Sequence, residues 1–436
     1  MMFAVTQLLR ELAKAFAVPL VALFGFLWEA TGANYEALSL EEVWQKAQQF
    51  EPGYQAQREL DASVELEWQA LRRERFLTLA VSASADHGQR VRPGEERDMG
   101  ISRRGELLAR GSWVFADSGQ ASREALVSHR RKILQSDAHL FDNEFRSELA
   151  RIFVETAFAE TRFELTRKHV EQLRLQLDQM ARRVSGGVER VDRAHLAERQ
   201  MHDLQNLVAE IAQEMDLMRG ELSAFAGTPT NPKPVVPKAF APEARSAIDN
   251  PGIHSLRAEA EERLLLADNI RDQDRWSLEV FGAGGTYFSR AFENRSAHSE
   301  FYVGVGAQWN PDFAGVNRHQ ALAEQRRARA ELARADSEER QLDRQLERLR
   351  GLQVQLLERE DLLTEKHRQT ARQLEIETLR WQEGVGSWDA LLGLYQELYE
   401  LELERIDLQL QQALAWIQYA ELTGALSQLA GWLGQH

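Results

Sequence analysis

Gly111-Ser112-Trp113-Val114-Phe115-Ala116-Asp117-Ser118-Gly119 closes an alternating stretch and is followed by Glu124-Ala125-Leu126 and Arg130-Arg131. The same frame returns later as Trp309, Gly315, Gln320-Ala321-Leu322 and Arg326-Arg327, at a constant offset of 196 (113 to 309, 119 to 315, 125 to 321, 130 to 326). Further on, Arg183-Val184-Ser185-Gly186-Gly187-Val188-Glu189-Arg190-Val191-Asp192 aligns with Arg380-Trp381-Gln382-Glu383-Gly384-Val385-Gly386-Ser387-Trp388-Asp389 at 197 (183 to 380). Upstream, Glu51-Pro52-Gly53 answers Asn250-Pro251-Gly252 at 199 (51 to 250). Such offsets mean a duplicated unit of about 200 residues, too long a period for a solenoid and suited to two similar halves of one object.

Each half repeats one order: a short helical region, two strands, two very long helices. In the first half, Ser39 is placed to cap a helix to about Gln49, with Glu41 and Glu42 at its positive end. A second run over about 54–74 carries Leu60, Val64, Trp68 and Leu71 at helical spacing, and about 252–275 repeats it. The period then changes to two, predicting strands at 76–86, 105–115, 276–287 and 300–309. One face of the first carries Leu77, Leu79 and Val81; the return strand adds Leu107, Ala109, Trp113 and Phe115. In the second half that face holds Trp276, Leu278 and Val280, then Phe301, Val303, Val305 and Trp309. The other face is mostly small or polar. Two readings fit: strands half-buried on a soluble core, or a transmembrane barrel with lipid outside, water inside and tryptophans near the interfaces. Segments 89–104 and 289–299 are polar and charged and are expected to be solvated loops. Four strands cannot close a barrel, and lipid does not tolerate open edges, so the barrel reading requires several copies.

The remainder is predicted helix: 118–184, 192–225, 318–383 and 388–430. A helix of some 66 residues would reach about 100 Å. That length suits a coiled coil or a helical tube rather than a globular domain, a plain rod being the simpler reading. Between the halves, 227–249 holds Pro229, Pro232, Pro234, Pro237 and Pro242, and reads as an extended connector that resists helix and strand alike.

Of 436 residues, 28 % are charged and the net charge is −15, which argues against a nucleic-acid partner. The mean hydropathy of −0.46 excludes a helical membrane protein. Cysteine is absent, which excludes disulfides, thiolate metal sites and a lipid-modified cysteine, and is compatible with an oxidising compartment. Arg10 and Lys14, the apolar run 16–28 and Thr31-Gly32-Ala33 read as a signal peptide over residues 1–33.

These features together resemble the TolC-type outer-membrane efflux and secretion channels, over about residues 38–427. Leu38-Ser39-Leu40-Glu41-Glu42-Val43 is similar to that family's opening motif, and Val114 to Gly119 and Trp309 to Gly315 to its two strand-to-helix junctions. Gly384-Val385-Gly386-Ser387-Trp388-Asp389 resembles its helical turn. The resemblance implies a mainly α fold with transmembrane β: a homotrimer giving four strands per protomer to a twelve-stranded barrel, continued by a periplasmic α-helical barrel. The first repeat would span 34–226 and the second 250–430, with a mixed band near the connector. The function implied is a passive exit duct for small molecules, metal ions or proteins, in the outer membrane of a Gram-negative bacterium. Its partners would be outer-membrane lipid, a periplasmic membrane-fusion adaptor and an inner-membrane transporter of the RND, ABC or MFS type. Gly186, Gly187 and Val188, with Gly384, Val385, Gly386 and Ser387, would form the periplasmic tips that meet the adaptor; glycine suits the reversal and Ser387 the capping of the next helix. Asp192 and Asp389 are candidates for the aperture, the plainer reading of Asp389 being a first-turn helix carboxylate. The second hairpin is the better candidate to move.

No arrangement reads as catalytic, and no cofactor or metal site is expected. The histidines are dispersed; His195 and His202 share a helix face, and Met180, Met201, Met215 and Met218 are better explained by packing. Gly282-Ala283-Gly284-Gly285 lacks the Lys-Ser/Thr of a phosphate loop. The rival to a channel is a periplasmic coiled-coil adaptor or scaffold, which should carry one hairpin and more strands than this.

Overall fold

The computed structural model describes residues 35–73, 78–91, 99–117, 119–186, 191–242, 247–272, 276–291, 294–309 and 311–434. The signal-peptide reading, Leu77, Gly187 and Val188 fall outside them. In chain order the elements are β1 (Glu36–Leu38), α1 (Leu40–Phe50), α2 (Pro52–Arg73), β2 (Thr78–Val91), β3 (Met99–Asp117), α3 (Gln120–Ser185), α4 (Val191–Ala226), β4 (Thr230–Pro232), α5 (Pro251–Asp272), β5 (Trp276–Ala291), β6 (Asn294–Trp309), α6 (Val316–Gln382), α7 (Trp388–Thr423) and α8 (Leu429–Trp432). The chain divides into two compact units.

One unit takes 56–138 and 254–337. Its centre is an antiparallel sheet in the order β2-β3-β5-β6, two hairpins side by side. The shared junction motif has a physical reason. The Asp312 carboxylate accepts from the N–H groups of Val316 (2.8 Å) and Asn317 (2.7 Å), satisfying donors that start α6. Asp117, its counterpart, accepts from the Gly119 N–H at 2.9 Å and pairs with Arg123. Around the helices, His129 is buried with Nε2 at 2.8 Å from the Ala258 carbonyl. Ser255 donates to Asp137 at 2.7 Å, and Arg130 bridges Glu67 and Glu262. Burial lifts the Glu259 carboxyl above its ordinary range, and nearby Asp137 and Glu331 add to the shift.

The other unit takes 35–55, 139–253 and 338–434 of the described chain. Ser39 forms a capping box with Glu42: its N–H donates to the Glu42 carboxylate at 2.6 Å, and its hydroxyl accepts from the Glu42 N–H. That backbone bond, with the Lys233 ammonium at 2.9 Å, pulls the Glu42 pKa down to about 2. The core joins α1 (Val43, Ala47) to Leu149, Phe153 and Phe158 of α3, Leu222 of α4 and Leu408 and Ile417 of α7. Asn250 ties two elements together. Its Oδ1 accepts from the Gly252 N–H at 2.8 Å, and its Nδ2 donates to the Leu422 carbonyl (3.1 Å) at the end of α7. Gly53, its counterpart region in the first half, has the Phe141 ring where a Cβ would lie, at 2.2 Å.

α6 shows how its seam was written. Ala321, Ala328 and Ala335, then Leu342, Leu349, Leu356, Leu363 and Thr370, are all buried, one every seven residues. The alanines belong to the sheet-bearing unit, the larger residues to the other.

Several expectations are corrected. β2, β3, β5 and β6 all run beyond the predicted strands, and pairing continues from Gln89↔Ile101 to Val91↔Met99 and from Ser289↔Ser296 to Ala291↔Asn294. Much of 89–104 and 289–299 is therefore strand: backbone pairing needs no apolar side chains, so charge alone does not end a hairpin. The connector does form a strand, β4, which pairs in parallel with β1; Phe240 and Val235 beyond it are buried. α7 stops at Thr423 rather than near 430. Gly424 takes φ 65° there, and α8 follows as a separate turn.

His169 stacks on Tyr399, with centroids 4.2 Å apart and planes at 8°, and Tyr399 meets the Thr166 hydroxyl at 3.0 Å. Burial holds the imidazole below its ordinary value and the Tyr399 phenol above its own. A base with a depressed folded pKa leaves stability whole above the unfolded value and lost as pH falls through it. Thermal stability is accordingly expected to fall below about pH 6.5, and His169→Phe, which keeps the stack, to flatten that part of the profile. An unchanged slope in His169→Phe would refute the assignment.

Candidate membrane-facing sheet and helical tips

The ladder sorts the sheet residues onto two faces. Trp113 stands opposite Val280 and Val280 opposite Val305; Gly111, Gly282 and Val303 form the next row, and Leu79 pairs with Gly111. One face therefore gathers Leu79, Val81, Leu107, Trp113, Leu278, Val280, Phe301, Val303, Val305 and Trp309, with Trp276 opposite Trp309 at the helix-proximal end. Most of these side chains are not covered, Leu278 and Val280 being half-buried: Leu79 is 72 % exposed, Phe301 79 % and Val305 72 %. An apolar patch so continuous is foreign to a monomer's water-facing surface. The register of β3 against β5 shifts between Val114 and Ala116, so the backbone of Phe115 falls in a bulge.

The opposite face is polar with aromatic inserts. Arg110 pairs with Glu279 at 3.1 Å and lies 5.0 Å over the Phe281 ring, which meets Tyr302 edge-on at 6.1 Å. Gly304 leaves room for Phe281, whose ring stands 2.7 Å from where a Cβ would be. β2 and β6 pair on one side only among the described residues. Both sheet edges are open.

At the tips, the first reversal is described only at Gly186, whose N–H donates to the Arg182 carbonyl at 3.1 Å. Asp192 is the second residue of α4. The second reversal is complete. Gly384 has φ 84°, a conformation natural to glycine alone. The N–H groups of Val385 (2.9 Å) and Gly386 (2.8 Å) both donate to the Arg380 carbonyl. A Cβ on Gly386 would lie 2.5 Å from the Trp381 nitrogen. Val385 is exposed, and Asp389 is an exposed first-turn carboxylate of α7. Ser387 holds the N-cap position, but its hydroxyl makes no capping bond. Instead the Ser387 N–H donates to Glu377, which reaches forward from α6 at 3.3 Å.

Beneath the turn, Trp381 and Trp388 (ring centroids 5.3 Å apart) pack with Leu173, Met180, Leu391 and Leu392. Both indole N–H groups are buried without a hydrogen-bond partner among the described residues, a local cost in an otherwise apolar cluster. Arg183 was missed by sequence reasoning. From the end of α3 its guanidinium lies 4.2 Å over the Trp381 ring and donates to the Trp381 carbonyl at 2.8 Å, so one hairpin caps the other's helix. Arg183→Ala is expected to cost about 1–2 kcal/mol locally. Hydrogen exchange should show the last turn of α6 opening faster; unchanged protection would remove the strap from the account.

No protein-family model matches the chain, and no curated protein is similar to it in sequence. Solved structures do match. CusC, described for its conformational changes on folding and transmembrane channel formation, superposes with a TM-score of 0.72 at 11 % identity over 90 % of this chain and 93 % of its own. VceC, an outer-membrane protein of Vibrio cholerae, gives 0.68 at 14 % identity over 89 % and 95 %. The open MtrE outer-membrane channel of Neisseria gonorrhoeae gives 0.67 at 17 % identity over 89 % of each chain. The chain thus has the fold of outer-membrane channels of the TolC type over about nine-tenths of its length.

Proposed function

We propose that the chain is the outer-membrane exit duct of a tripartite efflux or secretion assembly in a Gram-negative envelope. The observation that carries this reading is the sheet: one exposed apolar face, one polar face and two open edges. Lipid would cover the first, water the second, and neighbouring copies the third, β6 of one protomer pairing with β2 of the next. Three copies would give twelve strands. Phe301 through Trp309 makes nine residues, within the roughly 9–11 that a tilted strand needs to cross a bilayer.

The fold shared with CusC, VceC and MtrE supports the same reading. The tips around Gly186–Val188 and Gly384–Ser387 would then meet a periplasmic membrane-fusion adaptor, itself joined to an inner-membrane transporter. Asp192 and Asp389, repeated by three-fold symmetry, would form acidic rings that favour cations at the aperture. The buried, unpaired indole N–H groups of Trp381 and Trp388 support the second hairpin as the moving part. Conduction would be passive, with no catalytic step.

The test is recovery and conductance. Expressed with its full N-terminal segment, the protein should fractionate with the outer membrane and run as a heat-sensitive trimer. In planar bilayers it should open steps of conductance. Recovery as a soluble monomer would instead support a periplasmic adaptor or scaffold.

A further inference from the structure

Between the end of β6 and the start of α6 at Val316 the chain makes a short turn, Pro311-Asp312-Phe313-Ala314-Gly315. Phe313 is 89 % exposed, the barest large apolar side chain among the described residues. Its ring meets that of Trp309 edge-on, with centroids 6.4 Å apart. Trp309 is itself exposed and stands on the apolar face of the sheet, so that face runs on into the turn. Val316, three residues further, is exposed as well.

The backbone of this turn keeps its polar groups to itself. Pro311 has no N–H to satisfy. The Phe313 N–H donates to the Pro311 carbonyl at 3.0 Å, and the Gly315 N–H to the Asp312 carbonyl at 3.1 Å. Asp312, the acid of the turn, folds back onto the helix start and accepts from the N–H groups of Val316, Asn317 and Arg318. Gly315, at φ 69°, makes the reversal that lets it do so. Donors bonded in this way lose little on leaving bulk water, whereas the bare phenyl ring gains. The first repeat has no such device. Asp117, which matches Asp312 in role, falls on Phe313 at the repeat offset of 196 (117 to 313). There the strand continues through Asp117, and the side chain is a carboxylate paired with Arg123.

We propose that the 311–315 turn is a membrane anchor, with the Phe313 ring seated at the boundary between phospholipid headgroups and acyl chains on the side where α6 leaves the bilayer. The proposal rests on the sheet spanning lipid, as argued above. Lipid is the occupant that fits. A neighbouring copy would lie beside the open edge of β6, in the plane of the sheet, whereas Phe313 continues its face. Aromatic side chains favour that boundary, and Trp276 and Trp309 already mark it. Three copies would set three rings at one level and so fix how deep the barrel sits.

The chain has no cysteine, so Phe313→Cys, Val303→Cys and Gln308→Cys can each carry one bimane label. The labelled full-length trimers are placed in phosphatidylcholine vesicles and quenched by lipid nitroxides at a shallow or a deep acyl position, or by iodide on both sides. The label at 313 should be quenched at least about twofold by the shallow nitroxide and less by the deep one, since interfacial side chains lie roughly 5–10 Å into that boundary. The label at 303, in the middle of the band, should respond most to the deep nitroxide, and that at 308, on the water-facing side, to iodide alone. A label at 313 that answers only to iodide would overturn the proposal. So would one shielded from every quencher, which would mean that a neighbouring copy covers the ring. If the label at 303 also escapes both nitroxides, the duct reading itself fails and takes the anchor with it, so the two failures are distinguishable.

Discussion

Arginine at both Val303 and Val305 is expected to abolish the membrane trimer. The two valines lie on the exposed apolar face of β6, opposite Gly282 and Val280, in the middle of the band bordered by Trp309. An arginine at the midplane of a bilayer-spanning strand costs about 2–4 kcal/mol, and a trimer would bear each substitution three times. That total, about 12–24 kcal/mol, matches or exceeds the 5–15 kcal/mol by which a folded protein usually outweighs unfolding. The contrast lies on the other face of the same strand. Gln308 stands on the opposite face, across from Ser277, and Gln308→Arg is expected to change stability by less than about 0.5 kcal/mol. The fraction of heat-sensitive trimer in outer-membrane fractions reads both. Normal trimer from the valine double variant would mean that this face does not meet lipid.

Gly386→Ala is expected to disrupt the second tip by about 2–3 kcal/mol. The new methyl would meet the Trp381 nitrogen at 2.5 Å and the Arg380 carbonyl carbon at 2.9 Å, both backbone atoms that cannot turn aside. Relief would require giving up the two N–H bonds to the Arg380 carbonyl. Gly384→Ala differs in kind: its Cβ has open space, and only the left-handed backbone is penalised, by about 1–2 kcal/mol. Gly393→Ala, inside α7 with nothing near, should stabilise by about 0.5–1 kcal/mol. Tryptic cleavage at Arg380 should rise in the order 393, 384, 386. An alanine at 386 tolerated as well as one at 384 would show that the turn is not built as described.

What could be read in advance was whatever local chemistry dictates. Ser39 and Glu42 form their capping box without help from distant chain, and the alternation over 78–84 and 301–309 is a property of each strand alone. The doubled junction was legible as a segment, but Asp312 as acceptor for the first N–H groups of α6, and Asp117 as acceptor for the Gly119 N–H just before α3, needed coordinates. What could not be read depends on partners far away in sequence. β1 and β4 are three residues each and pair across some two hundred positions. Phe240 is buried in a segment whose prolines spoke only of extension, because Trp416 and Tyr419 of α7 come to cover it. Arg183 carried no signal, since a lysine or arginine in a last helical turn is common. Its second task, on another helix's carbonyl, exists only once the hairpins meet. The charged hairpin ends were misread for the opposite reason: composition spoke for solvent, and strand pairing does not forbid solvent.

The central claim is that β6 of one copy pairs with β2 of the next to close a barrel. The chain has no cysteine, so paired cysteines introduced along Leu79–Ser84 and Phe301–Trp309 would be its only thiols. Within one chain β2 and β6 are separated by β3 and β5, about 14 Å at the usual strand spacing, too far for a disulfide. Oxidation in intact cells should therefore yield covalently closed trimers at the matching register on a non-reducing gel. A scan across the whole edge that returned only monomers would contradict the barrel.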